Sequence, residues 1–192
     1  MERQLLAEGG IVDYDSVFLT KQEADTLLDF LKQSVTWEQK FYNYYGKQVA
    51  QPRLTAWYAN DPSMQYSYSG VTQVVQPWLP ELLELKKKIT AVSGAEYNSV
   101  LLNFYRDGTD SVGLHADNEK ELGENPNIAS ISLGAVRTFQ LVRGDSTIEY
   151  ELAHGSLLVM SGTTQRYWKH TIPKAYGLKE GRINLTFRTI HV

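Results

Sequence analysis

The sequence predicts an α+β fold that is mainly β: a jelly-roll core, or double-stranded β-helix, with flanking helices. Two observations carry this. The first 95 residues hold two amphipathic helical segments, whereas residues 96–192 break into short β-prone runs separated by turn signals at close, regular spacing. Many short strands of this kind close into a sandwich or barrel, and no Gly/Pro-rich linker separates the two halves. One domain spanning 1–192 is expected, with the helices in about 1–95 and the strand-rich core in about 96–192.

The elements follow in order. Thr20 to Val35 reads as a helix because Thr20 and Glu23 make a capping box, and Ala24, Leu27, Leu28 and Leu31 recur with helical period. A second helix is expected to start near Pro80, a residue suited to a first helical position, and to end at Gly94. Between them, about Trp37 to Gly70 is rich in Tyr, Trp, Asn, Gly and Pro and reads as hairpins and loops. The expected strands are Val100 to Tyr105, Ile128 to Leu133, Arg137 to Val142, Thr147 to Leu152, Ser156 to Met160 and Arg182 to Val192. Their breakers are Asp107-Gly108, Gly134, Gly144-Asp145, His154-Gly155 and Gly162.

Composition narrows the class. The chain has 192 residues, 42% of them hydrophobic and 21% charged, as in an ordinary globular protein. No apolar run approaches the roughly 20 residues that span a bilayer. The segment MERQLLAEGG lacks the basic and apolar regions of a secretory signal. With no cysteine, disulfides, thiolate metal sites and a cysteine nucleophile are excluded, which fits a reducing compartment. A net charge of −3 argues weakly against a nucleic-acid partner, although a local basic patch is compatible with it.

Three segments carry candidate chemistry. If His115-Ala116-Asp117 is extended, an imidazole and a carboxylate point the same way. A third ligand from elsewhere would complete a 2-His-1-carboxylate triad with open metal positions for an oxo-acid and dioxygen. Alone, the motif is a weak signal and reads more readily as a surface His and Asp beside a turn. In Arg182-Ile-Asn184-Leu-Thr186-Phe-Arg188, Ile183, Leu185 and Phe187 share one face and the polar residues the other. That polar face is either solvated or a grip for the two ends of a small dicarboxylate, which guanidinium forks suit. Asn103 and Tyr105 add two polar groups on one face of an apolar strand. They are either a structural hydrogen-bonding pair or further donors to a carboxylate.

Together and in order, Leu102-Asn-Phe-Tyr-Arg-Asp-Gly108, His115-Ala-Asp117, His170 and Arg182 to Arg188 resemble the AlkB family of nucleic-acid dealkylases, in its branch of animal DNA dealkylases. The likeness runs from about Tyr44 to Ile190 and includes Ala153-His-Gly-Ser-Leu-Leu158. It implies a jelly roll with an N-terminal nucleotide-recognition lid. It implies an Fe(II) ion on His115, Asp117 and His170, with His154 structural and His191 merely terminal. It implies 2-oxoglutarate as co-substrate with O2, Arg182 at the distal carboxylate, Arg188 nearer the metal, and Asn103, Tyr105, Asn184 and Thr186 completing the pocket. The implied reaction is oxidative demethylation of bases such as 1-methyladenine and 3-methylcytosine in DNA or RNA, releasing formaldehyde, succinate and CO2.

For the nucleic acid, Tyr45-Gly46-Lys47 resembles a hairpin tip that probes the duplex, and Met64 to Gly70, with Tyr66 and Tyr68, a segment that stacks on the base. Arg53, Lys47 and the run Lys86, Lys87, Lys88 would contact phosphates, although the lysine run reads equally as a solvated helix face. Asn118-Glu119 departs from the family's Asp-Glu and removes a charge that would favour a cationic methylated base. The expected protein is an intracellular monomer (cytoplasm, or nucleus if eukaryotic). The alternatives are an oxygenase acting on methylated RNA or a protein side chain, and a non-catalytic nucleic-acid-binding module.

Overall fold

A computed structural model describes residues 1–62, 67, 68, 71, 72 and 74–191. The N-terminal half contains β1 (Glu2–Leu5), β2 (Gly10–Asp15), α1 (Lys21–Ser34), β3 (Glu38–Tyr44), β4 (Lys47–Ala59), β5 (Ser67–Tyr68), β6 (Val71–Thr72), β7 (Val75–Gln76) and α2 (Pro80–Ser93). The C-terminal half contains β8 (Ser99–Tyr105), β9 (Val112–His115), β10 (Ile128–Gly134), β11 (Arg137–Arg143), β12 (Ser146–Leu152), β13 (Ser156–Gly162), α3 (Thr164–Tyr167), β14 (Lys169–Ile172) and β15 (Arg182–Arg188).

Two sheets face each other. The major sheet runs β1-β2-β13-β10-β15-β8-β4-β3, with β7 joining β4, and the minor sheet runs β12-β11-β14-β9. Strand β15 shows why the layers form. Ile183, Leu185 and Phe187 enter a core shared with Ala24 and Leu31 of α1 and Leu82, Leu85 and Ile89 of α2. Burying each such side chain contributes about 1.5–3 kcal/mol. The residues between them face the opposite way, toward the minor sheet, where Leu141, Phe139, Leu152, Trp168 and Ile172 build a second core. The helices therefore cover one face of the major sheet and the minor sheet covers the other.

Both predicted helices form as expected. Thr20 Oγ1 accepts from the Glu23 amide and the Glu23 carboxylate accepts from the Thr20 amide, closing the capping box. Pro80 opens α2, and Gly94 closes it in the left-handed conformation (φ 69°). Two expectations need correction. Residues 2–15, in which no strand was expected, form β1 and β2, and β2 pairs with β13. Neither carries a period-2 signal, since β1 is exposed throughout and β2 does not alternate. The last strand stops at Arg188 rather than running to Val192, which lies outside the described residues. Past it, the Ile190 amide donates to Asn98 Oδ1 (2.8 Å) instead of a ladder partner.

Candidate active site

A cleft opens between the sheets, lined by Arg53, Asn103, Tyr105, His115, Asp117, His170, Arg182, Asn184, Thr186 and Arg188 among others. Its two walls have different chemistry. The minor sheet supplies imidazoles: β9 ends on His115, whose register partner on β14 is His170. The major sheet supplies cations and amides: on β15, Arg182 stands opposite Tyr105 and Asn184 opposite Asn103 of β8.

All seven residues of Arg182–Arg188 are buried, so the polar face is not solvated. The expectation for His115-Ala-Asp117 is corrected in one respect. Strand β9 ends at His115, so Asp117 does not reach the site by strand alternation. It is set instead by Gln165, whose Oε1 accepts from the Asp117 amide (2.9 Å), and by Arg188, whose Nε and Nη2 both donate to Asp117 Oδ2 (3.1 and 2.6 Å).

Donor atoms of His115, Asp117 and His170 lie within 4.8 Å of one another, and among the described residues this is the group with metal-holding geometry. His115 Nδ1 donates to the Gly113 carbonyl (2.8 Å), which leaves Nε2 as the nitrogen with the lone pair, 3.7 Å from Asp117 Oδ1. Asp117 Oδ1 is buried without a hydrogen-bond partner. A buried carboxylate oxygen in that state is costly unless a cation takes it. The ring of Phe139 stacks on His170 (centroids 5.3 Å apart) and fixes its plane.

The protonation states suit a metal. Burial, reinforced by neighbouring His115, pushes His170 down to about 3, and burial also lowers His115. Burial alone would raise Asp117, but Arg188 and the two imidazoles outweigh it and hold the carboxyl at about 2. Near neutral pH the three donors are two neutral imidazoles and one carboxylate, and no proton has to leave before an ion binds. The set fits Fe(II) in a facial triad.

Arg182 is 2% exposed, donates through Nη2 to Ser132 Oγ (2.9 Å) and has Nε and Nη1 buried without partners. Burial lowers it to about 10, so it stays charged at neutral pH. A buried guanidinium with unmet donors calls for an anion, and one carboxylate of a dicarboxylate accepting from Nη1 or from Nε answers that need. The other cofactor candidates are more committed. Asn184 donates to Ser130 Oγ (2.7 Å) and Ile131 O (3.1 Å) and accepts from Thr186 (2.9 Å), so this pair braces the cleft wall.

Among the other candidates, Tyr45 and Gly46 form a two-residue hairpin turn between Tyr44 and Lys47, with φ of 47° and 76°. Tyr45 is 90% exposed at its tip. Arg53 is not a surface phosphate contact. It is 5% exposed and lines the cleft, donating to Asn103 Oδ1 (2.8 Å) and the Ser111 carbonyl (3.2 Å). Lys87 and Lys88 pair with Glu84 and Glu23, and Lys86 lies over Trp78, as on a solvated helix face. Met64, Gln65, Tyr66 and Gly70 lie outside the described residues, and Tyr68 is placed only as backbone in β5. Asn118 is exposed beside Gln165 at a separate shallow pocket, and Glu119 follows it half-buried. His154 is structural here: it accepts from the Gly134 amide through Nδ1 (2.8 Å) and donates through Nε2 to Asp25 on α1 (3.0 Å).

Sequence reasoning missed Gln165, which carries no motif and meets Asp117 only in the fold. Its removal has a defined consequence. Gln165→Leu is expected to weaken Fe(II) binding about 10- to 100-fold, as for an outer-shell partner, while the circular dichroism spectrum is kept. A titration with unchanged midpoint would show that Arg188 alone positions the carboxylate.

The chain belongs to the 2OG-Fe(II) oxygenase superfamily, whose family model it matches over residues 14–188. Within that class it is a member of the AlkB family, as the sequence resemblance implied. It is 45% identical over 186 residues to alpha-ketoglutarate-dependent dioxygenase alkB homolog 3 of Rattus norvegicus, an alignment covering 91% of this chain and 62% of that protein. To DNA oxidative demethylase ALKBH2 of Mus musculus it is 38% identical over 201 residues, covering 98% and 83%. The chain thus spans less than two thirds of the rat relative's length. The solved structure of OsALKBH1 shares the fold at a TM-score of 0.64 and 21% identity, covering 98% of this chain and 100% of that one. A Trichoplax adhaerens prolyl hydroxylase does so at 0.62 and 13%, covering 92% and 83%. No described helix is long and apolar enough to cross a membrane.

Proposed function

We propose that this chain is an Fe(II)/2-oxoglutarate-dependent dioxygenase that oxidatively demethylates N-alkylated bases of the 1-methyladenine and 3-methylcytosine type in nucleic acid, DNA foremost, releasing formaldehyde, succinate and CO2. The observation that carries it is the cleft with a buried His115/Asp117/His170 cluster on one wall and the unmet guanidinium of Arg182 on the other. The class of substrate is supported by the name of the mouse relative, a DNA oxidative demethylase, and the co-substrate by that of the rat relative, an alpha-ketoglutarate-dependent dioxygenase.

In this reading His115, Asp117 and His170 hold the iron, which with dioxygen and 2-oxoglutarate supplies the oxidising chemistry. Arg182, beside Tyr105 and Asn103, binds the distal carboxylate. Arg188 neutralises Asp117 and keeps Oδ2 occupied, so that Oδ1 is the oxygen offered to the metal. Arg53, at the cleft wall, meets the base that enters. The β3–β4 hairpin serves as the recognition lid, with Tyr66 and Tyr68 as stacking partners.

The direct test is mass spectrometry of methylated oligonucleotides incubated with protein, Fe(II), ascorbate and 2-oxoglutarate. A loss of about 14 Da per methyl is expected, as N–CH₃ becomes N–H on an extruded base that stays joined to its sugar. Intact methyl groups accompanied by succinate release would move the substrate to another class. The hairpin makes a sharper prediction. A base inside a duplex must be extruded, and Tyr45 at an exposed tip is placed to fill the gap. Stacking is worth about 1–3 kcal/mol per base, so Tyr45→Ala should lose roughly 10- to 100-fold on double-stranded substrate and far less on single strands. Equal losses on both would remove Tyr45 from this role.

A further inference from the structure

Arg137, at the start of β11, is 2% exposed but forms no part of the cleft wall. Its guanidinium donates to three carbonyls: Asp107 (3.3 Å), Asp110 (2.9 Å) and Pro173 (2.6 Å). The first two lie in the loop after β8 and the third in the loop after β14. Those loops also bind each other, through Gly108 N to Leu178 O (2.9 Å) and Ala175 N to Gly108 O (2.7 Å). They approach so closely that a Cβ on Gly108 would stand 1.8 Å from Ala175 O. Arg106 shapes the first loop by pairing with Asp110 (2.8 Å).

The same guanidinium lies over the ring of Tyr105, 5.6 Å from its centroid, and Arg182 lies over that ring at 5.2 Å. Two buried cations thus share one aromatic ring, and the acceptors found for Arg137 are carbonyls rather than a carboxylate. Such a pairing is unfavourable by itself, because each charge is desolvated and the two repel. It becomes favourable when an anion reaches Arg182, whose field Arg137 then reinforces. The Tyr105 ring is held in place by attraction to both.

We propose that Arg137 is a positioning residue for the dicarboxylate co-substrate. By pinning Tyr105 and clamping the two loops it sets the affinity and the admissible length of the acid that Arg182 grips. This rests on the proposed function. Arg137 never touches the acid and acts through Tyr105.

The test uses Arg137→Lys, which keeps charge but loses the fork, and Arg137→Met, which loses both. Binding of 2-oxoglutarate and of the longer 2-oxoadipate to Mn(II)-loaded full-length protein is followed by calorimetry, without turnover. Arg137→Met should bind 2-oxoglutarate about tenfold more weakly, the scale of a desolvated cation–π contact, with Arg137→Lys between it and wild type. Mn(II) affinity should not change, the preference for 2-oxoglutarate over 2-oxoadipate should narrow, and in turnover KM should rise with kcat kept. A purely structural role would lower the melting temperature without moving the dissociation constant, and that result overturns the proposal. Should neither variant fold, Tyr105→Phe and Tyr105→Leu decide it. Both variants lose the hydroxyl, but Phe keeps a ring beside both guanidiniums and should bind 2-oxoglutarate more tightly than Leu, whereas equal affinity overturns the proposal. Wild-type protein that failed to bind 2-oxoglutarate would overturn the functional reading and this proposal together. Variants that match wild-type affinity would overturn this proposal alone.

Discussion

His170→Ala is expected to abolish turnover and metal uptake in a protein that still folds, whereas His154→Ala keeps both. His170 is buried and His154 half-buried, and they hold different partners. His170 stands against His115 (ring centroids 4.2 Å apart) with a neutral ring in the cleft, so removing it takes one of three metal donors. Both nitrogens of His154 are spent on Gly134 and Asp25. Loss of an inner ligand should exceed the ~10- to 100-fold penalty of losing an outer one. His115→Ala and Asp117→Ala should behave like His170→Ala, with Asp117→Ala also leaving Arg188 without its carboxylate. The measurement is Fe(II) or Mn(II) binding beside circular dichroism. An active His170→Ala with a dead His154→Ala would reverse the ligand assignment.

Arg182→Lys is expected to raise the KM for 2-oxoglutarate strongly with metal binding intact. Lysine keeps a charge near that place but has a single ammonium, which cannot both replace the Nη2 bond to Ser132 and supply the partnerless donors at Nε and Nη1. Charge-assisted hydrogen bonds contribute about 1.5–3 kcal/mol each, so losing one bond to the carboxylate predicts a rise of roughly 10- to 100-fold. Initial rates at varied 2-oxoglutarate would show it. An unchanged KM would mean that the distal carboxylate lies elsewhere.

The parts of this site that could be read in the sequence are those whose chemistry and spacing are both local. The alternation of β15 announced one apolar and one polar face, and the capping box at Thr20 announced α1. The polar face could not be assigned to solvent or cleft from the strand alone, because that depends on the minor sheet packed across it. Asp117 was expected on a strand that ends two residues earlier, since nothing local records Gln165 or Arg188 as its supports. Arg53 was expected at phosphates, and its buried place in the cleft was not legible because it is set by the pairing of β4 with β8. Arg137 did leave a signal: it shares the inward phase of Phe139 and Leu141, and a charge in an apolar phase marks a buried partner.

The division of the cleft between two sheets has a thermodynamic consequence. The metal's ligands sit on one sheet or just past its edge, and the acid's main anchor sits on the other, joined across the gap by Arg188 and Asp117. A metal-bound acid that also reaches Arg182 would therefore act as a rivet through the sandwich. Such a rivet binds only the folded sandwich, so mass action adds its binding free energy to the cohesion of the layers. Each component alone grips a single layer and fastens little. Resistance to unfolding then becomes a property of the pair, rising when metal and acid are present together.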